Sequence, residues 1–421
     1  MVPAYAPAVN PERLPGALIQ AHRSIASLLL SAGMLTSPLA LTGYQIAVGL
    51  WRIDVYEIFI GLSLVAIALY PRIRIKSPVL ISGATLYMIA LANTLLAISS
   101  QGGFSGVDIT PVMKWTLSLL PLYLGYNVAS PTAFVRLRRL LPLATSIAGL
   151  VVLWNAVSTG GSFTAFNRSE GFRLHAEPVS PNETGELLAL VSLLLIASSD
   201  VPLGIRIAGL LINGGLLVLT FSRESLVTLS LGLVVMGMLN RRQAFYVILM
   251  ALALPYAWPW LWNEVASQPD ITNGRLLVWR SAFDAVGERP FFFLVRGLGY
   301  GQAPPIQGGN PWAHNMLLEA LMVGGVPALI TLIAFLAGIG HGLWKSASGQ
   351  KGEQSSLRCE AARALLSFFL AYVITGAVAD HLWTFWIVNT AFLGLIGMVL
   401  RMSAESRHGK ARTAIYGIGD R

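Results

Sequence analysis

Arg223 stands between two apolar runs, in the stretch Leu219-Thr220-Phe221-Ser222-Arg223-Glu224. A charge at the rim of an apolar segment is costly and is functional by default. Its planar fork of N–H groups matches phosphate oxygens. The plainer reading is an Arg223–acid structural pair, with Glu224 beside it. Further along come Arg275, Trp279 and Arg280, then Arg289 and Arg296. Arg275 and Trp279 are spaced i, i+4, so on a helix they share a face. That face could hold a phosphate and stack a sugar. Not all four arginines can be ligands; one or two are expected to pair with Asp284 or Glu288. His314-Asn315, with Glu319 four residues beyond Asn315, forms the third group. A histidine in the first turn of a helix feels the positive end of the dipole. A neutral imidazole there could act as general base. It could equally be an interfacial histidine bonded to a loop carbonyl. Asn315 and Glu319 would line the same cavity. The mixed stretch Arg168, Glu170, Arg173, His175 and Glu177 offers Arg168 and Arg173 as substrate contacts, or is simply solvated.

These residues must be positioned by helix starts. Ser180-Pro181-Asn182-Glu183 reads as a capping box with Pro at the first helical position. Ser222-Arg223-Glu224 reads as a cap and first turn. Asn310-Pro311 reads as a third start, which would put His314 in its first turn. Helix N-termini carry free N–H groups and partial positive charge, and so favour anions. A pyrophosphate at such a face is a natural ligand; ordinary caps and interfacial arginines are the bland alternative. A helix is expected near 274–287. The run Gly297-Leu298-Gly299-Tyr300-Gly301 has phosphate-loop spacing, but no strand precedes it and no GK[ST] follows, so a turn is the better reading. Asp380-His381 reads as a structural turn.

The wider composition is that of a membrane protein. Of 421 residues, 55% are hydrophobic and 12% charged, against roughly a quarter charged in soluble domains. Mean hydropathy is +0.65. This excludes a soluble enzyme, a disordered chain and a nucleic-acid-binding domain, despite the net charge of +9. The single cysteine, Cys359, excludes an intramolecular disulfide and a cysteine-based zinc site. HExxH is absent, and no His/Asp/Glu set has metal-ligand spacing.

Apolar runs long enough for roughly 20-residue spans lie near 24–43, 54–70, 78–98, 109–128, 139–157, 184–199, 203–221, 223–239, 243–262, 311–340, 361–379 and 382–400. The expected fold is all-α: one polytopic membrane domain over 1–421 with about 12 transmembrane helices. With the N-terminus inside and sides alternating, 20 of the 29 basic residues fall on the inner side and 14 of the 20 acids on the outer. That asymmetry obeys the positive-inside rule and places both termini in the cytoplasm. Residues 1–23 carry no cleavable-signal pattern, so the first span would be an uncleaved anchor. The longest inner loop, near 341–360, cannot hold a nucleotide-binding domain, and there is no GxxxxGK[ST]. The outer side has two large loops, 158–183 and 263–313; the second should be partly helical and functional. No internal repeat is visible, which weakens transporter readings built on inverted repeats.

The stretch from Thr220 to Arg223 resembles the T-x-S-R signature of the bacterial O-antigen ligase and O-antigen polymerase superfamily. Gly274-Arg275-Leu276, Trp279, Pro290 and Gly297-x-Gly299-x-Gly301 are similar to that family's large periplasmic loop. Ala313-His314-Asn315, Leu318-Glu319 and Gly324-Gly325 resemble its HN…L…G pattern. Pro181-Asn182 resembles its PN pair. The motifs stand in the family's order over roughly 165–330; the N-terminal third is similar only in hydropathy. Glu224 departs from the small residue common after the arginine.

The resemblance implies an inner-membrane glycosyltransferase that uses no metal and no cofactor. It would take a glycan from undecaprenyl diphosphate at the periplasmic face. The acceptor would be another lipid-linked glycan for a polymerase, slightly favoured here, or lipid A-core for a ligase. By motif, Arg223 and Arg275 would bind the diphosphate, and His314 would be the acceptor's base or orient the leaving group. Glu224 would tune Arg223 or meet the acceptor. The activated donor accounts for the missing ATPase. The partners implied are donor, acceptor, lipid bilayer and the machinery of polysaccharide export; no nucleic acid is among them. A lipid-glycan flippase or transporter is the rival from another class. It would need charges along a path through the bilayer, whereas here polar residues gather at one face.

Overall fold

The protein is described by a computed structural model covering residues 14–48, 51–68, 77–100, 110–128, 130–158, 180–220, 222–240, 243, 245–246, 275–300, 313–348, 353–379 and 381–416. In chain order the helices are α1 (Leu14–Thr36), α2 (Val55–Ala68), α3 (Pro78–Ser100), α4 (Thr110–Val128), α5 (Pro131–Ser158), α6 (Pro181–Ala197), α7 (Leu203–Leu219) and α8 (Arg223–Leu239). They continue with α9 (Arg275–Glu288), α10 (Pro290–Val295), α11 (Met316–Ala347), α12 (Glu353–Gly376), α13 (His381–Thr384) and α14 (Trp386–Tyr416). Among the described residues, five segments are long and apolar enough to cross a membrane: Arg23–Thr42, Pro78–Ser100, Pro131–Ser158, Met316–Ala347 and Trp386–Glu405. The protein is therefore an all-α multi-pass membrane protein. A count of twelve spans goes beyond these five, and the span expected near 243–262 lies almost wholly outside the described residues.

Several boundaries differ from the sequence expectation. Arg136, Arg138 and Arg139, expected in a loop, lie on the first turns of α5. Arg138 is 1% exposed, its charge met by Asp200, and it donates to the Leu357 carbonyl at 3.2 Å. α12 begins at Glu353, well before the apolar run that suggested it. α1 ends at Thr36, and a 3-10 turn over Ser37–Thr42 carries the chain on. Pro38 cannot donate to an α-helical ladder, and Gly43 closes the turn with φ 72°. One element is not helical at all. Gln45–Val48 (β1) and Trp51–Asp54 (β2) pair antiparallel, with Gln45 opposite Asp54. The alternating stretches on either side of Gly49-Leu50 suit a hairpin, but apolar periodicity read for spans does not show four-residue strands.

The bundle is tightened by small residues. α14 packs along α4, and a Cβ at Gly397 would lie 2.3 Å from the Leu122 carbonyl oxygen. A Cβ at Gly125 would lie 2.5 Å from that of Gly394. Such close backbone approach is how helices gain packing where lipid removes the hydrophobic drive.

α11 is broken at Gly325, with φ 69° and ψ −164°. Two residues later comes Pro327, which has no N–H to offer the Val323 carbonyl four residues back. The break frees the Met322 and Val323 carbonyls. Leu298 N–H and Gly299 N–H fill them, at 2.7 and 3.0 Å. The chain at 297–299 is thereby laced onto α11 in extended form. This explains the glycine run. A Cβ at Gly297 would lie 2.4 Å from Gly324 N, and Gly299 sits at φ 95° against Thr94. From Gly297 to Gly299 the run serves backbone packing, and Gly301 lies outside the described residues.

Candidate functional site

The starts of α6 and α8 meet. Ser180 Oγ accepts from Glu183 N at 3.0 Å, and Ser222 Oγ accepts from Ser225 N at 3.2 Å. Both caps are those the sequence announces. A Cβ at Gly185 would lie 2.5 Å from Ser225 Oγ, so only glycine lets the two starts touch. Asn182 joins them: its Nδ2 donates to Glu224 Oε2 at 3.1 Å, and its carbonyl accepts from Ser225 Oγ at 3.1 Å. Arg223 is the first helical residue and is half-buried at this junction.

Arg275 opens α9, within one residue of the expected start. Its guanidinium pairs with Glu224 and donates to the Val378 carbonyl at 2.6 Å. The Arg275 side chain is 21% exposed and that of Glu224 11%. Glu224 is thus the common partner of Asn182 and Arg275. It ties Arg275 to the residue that follows Arg223 in the chain. The pairing partners expected for loop arginines, Asp284 and Glu288, are exposed on α9.

The third group departs from expectation. α11 starts at Met316, not near Pro311, and Asn310-Pro311 lie outside the described residues. Asn315 is the cap: its Oδ1 accepts from Leu317 N and Leu318 N, both at 3.0 Å. Its Nδ2 donates to the Ala377 carbonyl at 2.6 Å. His314 therefore precedes the helix, half-buried and left-handed at φ 49°. A non-glycine residue with positive φ is uncommon, though histidine is among those that adopt it. Flanking contacts hold it there. Glu319, 1% exposed, turns back so that Oε2 accepts from Ala313 N at 2.8 Å. Asn315 is thus tied to Ala377 and Glu319 to Ala313, so both neighbours of His314 are held.

Trp279 is half-buried in a small core with Ala282, Phe293, Ala313, Leu318 and Met322. It supports the loop end rather than standing open beside Arg275. Arg280 is exposed on the same helix. Arg289 is exposed at the start of α10, and the Arg296 guanidinium lies 4.9 Å from the Phe292 ring centre. Arg168 and Arg173 lie outside the described residues, as do Glu170, His175, Glu177 and Asp380.

Further residues brace this junction; of them the motifs had signalled only Tyr300, in the glycine run, and Glu183, in the capping box. Trp383 Nε1 donates to the Met316 carbonyl at 3.0 Å, directly behind Asn315. Trp383 stacks on Trp115 with centroids 4.7 Å apart, and Trp115 stacks on Tyr300 at 5.5 Å. Tyr300 donates its hydroxyl to the Trp383 carbonyl, and its N–H meets Thr94 Oγ1 at 2.8 Å. Nearby lie buried charges. Lys114 pairs with Asp54 at 3.1 Å and lies 5.1 Å from the centre of the Trp386 ring. Glu57 accepts from Asp54 N at 2.8 Å, and Glu183 accepts from Ile387 N at 2.6 Å. Glu183 thus bonds across to α14 as well as closing its own cap. Charges in apolar spans were the available signal, but partners 60 residues apart cannot be read from local spacing.

No curated protein matches the chain. Residues 208–333 match the family model described as O-antigen ligase. That segment begins within α7, ends within α11, and contains Arg223, Arg275 and His314. Over that segment, less than half of the chain, the protein is similar to the O-antigen ligase family.

Proposed function

We propose that the protein is a glycosyltransferase that moves a glycan en bloc from undecaprenyl diphosphate to an acceptor sugar hydroxyl at the periplasmic face of the bacterial inner membrane. One observation carries this reading: Glu224 gathers Arg275 beside Arg223, while the turn at 377–378 ties Arg275 and the neighbour of His314 together. Two guanidiniums and the N-terminus of α8 make a site for a diphosphate. Their charge stabilises the diphosphate as it leaves, so no metal is required for this step. His314, held apart from the helix ladder, takes the proton of the attacking hydroxyl. The hydroxyl oxygen bonds to the anomeric carbon, the bond to the phosphate oxygen breaks, and the pair goes to the diphosphate. Direct displacement inverts the anomeric centre. Arg280 and Trp279, with Arg168 and Arg173, are assigned to the glycan or phosphate side, and Asn315, Glu319 and Glu224 to positioning.

The acceptor is another lipid-linked unit in the preferred polymerase reading and lipid A-core in the ligase reading. Twelve spans with both termini cytoplasmic complete the proposed topology. The test uses purified protein in nanodiscs with radiolabelled undecaprenyl-diphosphate glycan and EDTA. A ladder of longer lipid-linked chains is the polymerase result; label on lipid A-core is the ligase result. Both must vanish in Arg223→Ala and His314→Ala. No product from the native glycan with either acceptor would leave the transporter reading instead.

A further inference from the structure

At the end of the bundle remote from Arg223 lies a cavity of about 500 Å³. It is walled by α1, the start of α5 and Glu405 of α14. Glu405 stands 19 residues beyond Trp386 on one helix, a rise of roughly 28 Å. That is close to the hydrocarbon thickness of a bilayer. The cavity therefore opens at the opposite leaflet from the candidate site.

Its lining divides into a polar mouth and an apolar groove. Arg136 is exposed, and Arg23 is half-buried, giving one N–H to the Asn127 carbonyl at 3.2 Å. Glu405, the one acid of the lining, is held by Arg401 at 2.6 Å. Ser24, Ser27 and Ser31 fall at i, i+3 and i+7, one stripe of α1. Ser31 Oγ is used up on the Ser27 carbonyl at 2.7 Å. Ser27 is 7% exposed, and its hydroxyl has no hydrogen-bond partner among the described residues. A buried hydroxyl with nothing to bond costs free energy. It lines an open cavity in which a ligand oxygen would satisfy it. Below the mouth, Leu28 is 70% exposed and Leu140 44%, as a lipid-facing groove should be.

Two arginines, an unsatisfied hydroxyl and an apolar groove at one bilayer surface describe an anionic headgroup with an attached chain. We propose that this cavity binds an acidic phospholipid. Its phosphate oxygens meet Arg23, Arg136 and Ser27, and an acyl chain lies along Leu28 and Leu140. Basic pockets between helices at a membrane surface attract such lipids, each arginine adding to the preference. A phosphate oxyanion could also arrive free in solution, so the experiment separates the two.

Full-length protein is reconstituted with phosphatidylglycerol or with phosphatidylcholine of the same chains, re-extracted, and the lipid retained per protein counted by native mass spectrometry. The expected result is at least about tenfold preferential retention of phosphatidylglycerol. That preference should disappear in the Arg23→Ala/Arg136→Ala pair, and fall severalfold in Ser27→Ala. Ser27→Leu fills the cavity without removing charge and should expel the lipid too. This serves if the double variant does not fold. Equal retention of the two lipids, unchanged retention in Ser27→Leu, or displacement by millimolar inorganic phosphate overturns the proposal. The readout involves no glycosyl transfer, so it stands or falls apart from the proposed activity.

Discussion

Arg275 and Asn315 donate to successive carbonyls of one turn, Val378 and Ala377, each at 2.6 Å. The arginine of one loop helix and the neighbour of His314 are thus set in register by backbone that carries no reactive group itself. Arg275 uses separate nitrogens for Glu224 and Val378. Lysine, a compact point charge, cannot reproduce that planar fork. Arg275→Lys should keep the protein folded yet lower kcat/KM by roughly tenfold to a hundredfold. This is the cost of one charged hydrogen bond worth about 1.5–3 kcal/mol. Glu224→Gln keeps an acceptor for Arg275 and should be milder than Glu224→Ala. Steady-state rates with the labelled donor check the order.

His314 can be separated from its backbone. Asparagine tolerates the left-handed region but offers no base. His314→Asn should leave thermal unfolding in detergent unchanged and lower turnover by about a hundredfold or more. Glu319 acts one step removed. Glu319→Ala leaves the buried Ala313 N–H without its acceptor, a loss of about 1–3 kcal/mol. Glu319→Gln keeps an oxygen at that place and should restore both melting temperature and rate. Equal rates in Glu319→Ala and wild type would remove the clamp from the argument.

The helix starts at Ser180 and Ser222 were legible because a cap is decided within four residues. Near His314 the sequence reading placed the start at Asn310-Pro311, whereas Asn315 is the cap; local chemistry alone does not fix which residue begins the helix. The bond from Asn315 to Ala377 and that from Trp383 to Met316 span 62 and 67 residues; only the assembled bundle supplies them. The glycine run was visible as a pattern. Its cause, carbonyls released by Gly325 and Pro327, sits on another helix.

That cause gives a stability test. A methyl at Gly297 would lie 2.4 Å from both Gly324 N and the Val323 carbonyl carbon. These are backbone atoms and cannot turn aside as a side chain would. Gly297→Ala should therefore push the loop off α11, break the bonds to Met322 and Val323, and lower the melting temperature sharply. Gly287, on α9, has nothing within 4 Å of a Cβ. Gly287→Ala should stabilise slightly, by about 0.5–1 kcal/mol, through its helix propensity. Thermal unfolding of the two variants side by side distinguishes close backbone packing from a general intolerance of alanine.

The buried pair Lys114–Asp54 allows a sharper experiment. Both residues are less than a tenth exposed, and the lysine also faces the Trp386 ring. Removing one partner leaves the other charge stranded, which costs about 3–5 kcal/mol in buried pairs. Lys114→Met alone should therefore destabilise strongly, and Asp54→Asn alone should do so comparably. The double variant removes both charges, so it should recover much of the loss, since a well-packed neutral pair is often as stable as the ions. If the double variant also regains turnover, the pair serves the scaffold that carries Trp383 and α14. If stability returns while turnover does not, the charges themselves act on the reaction, and Asp54 and Lys114 join Arg223, Arg275 and His314 at the site.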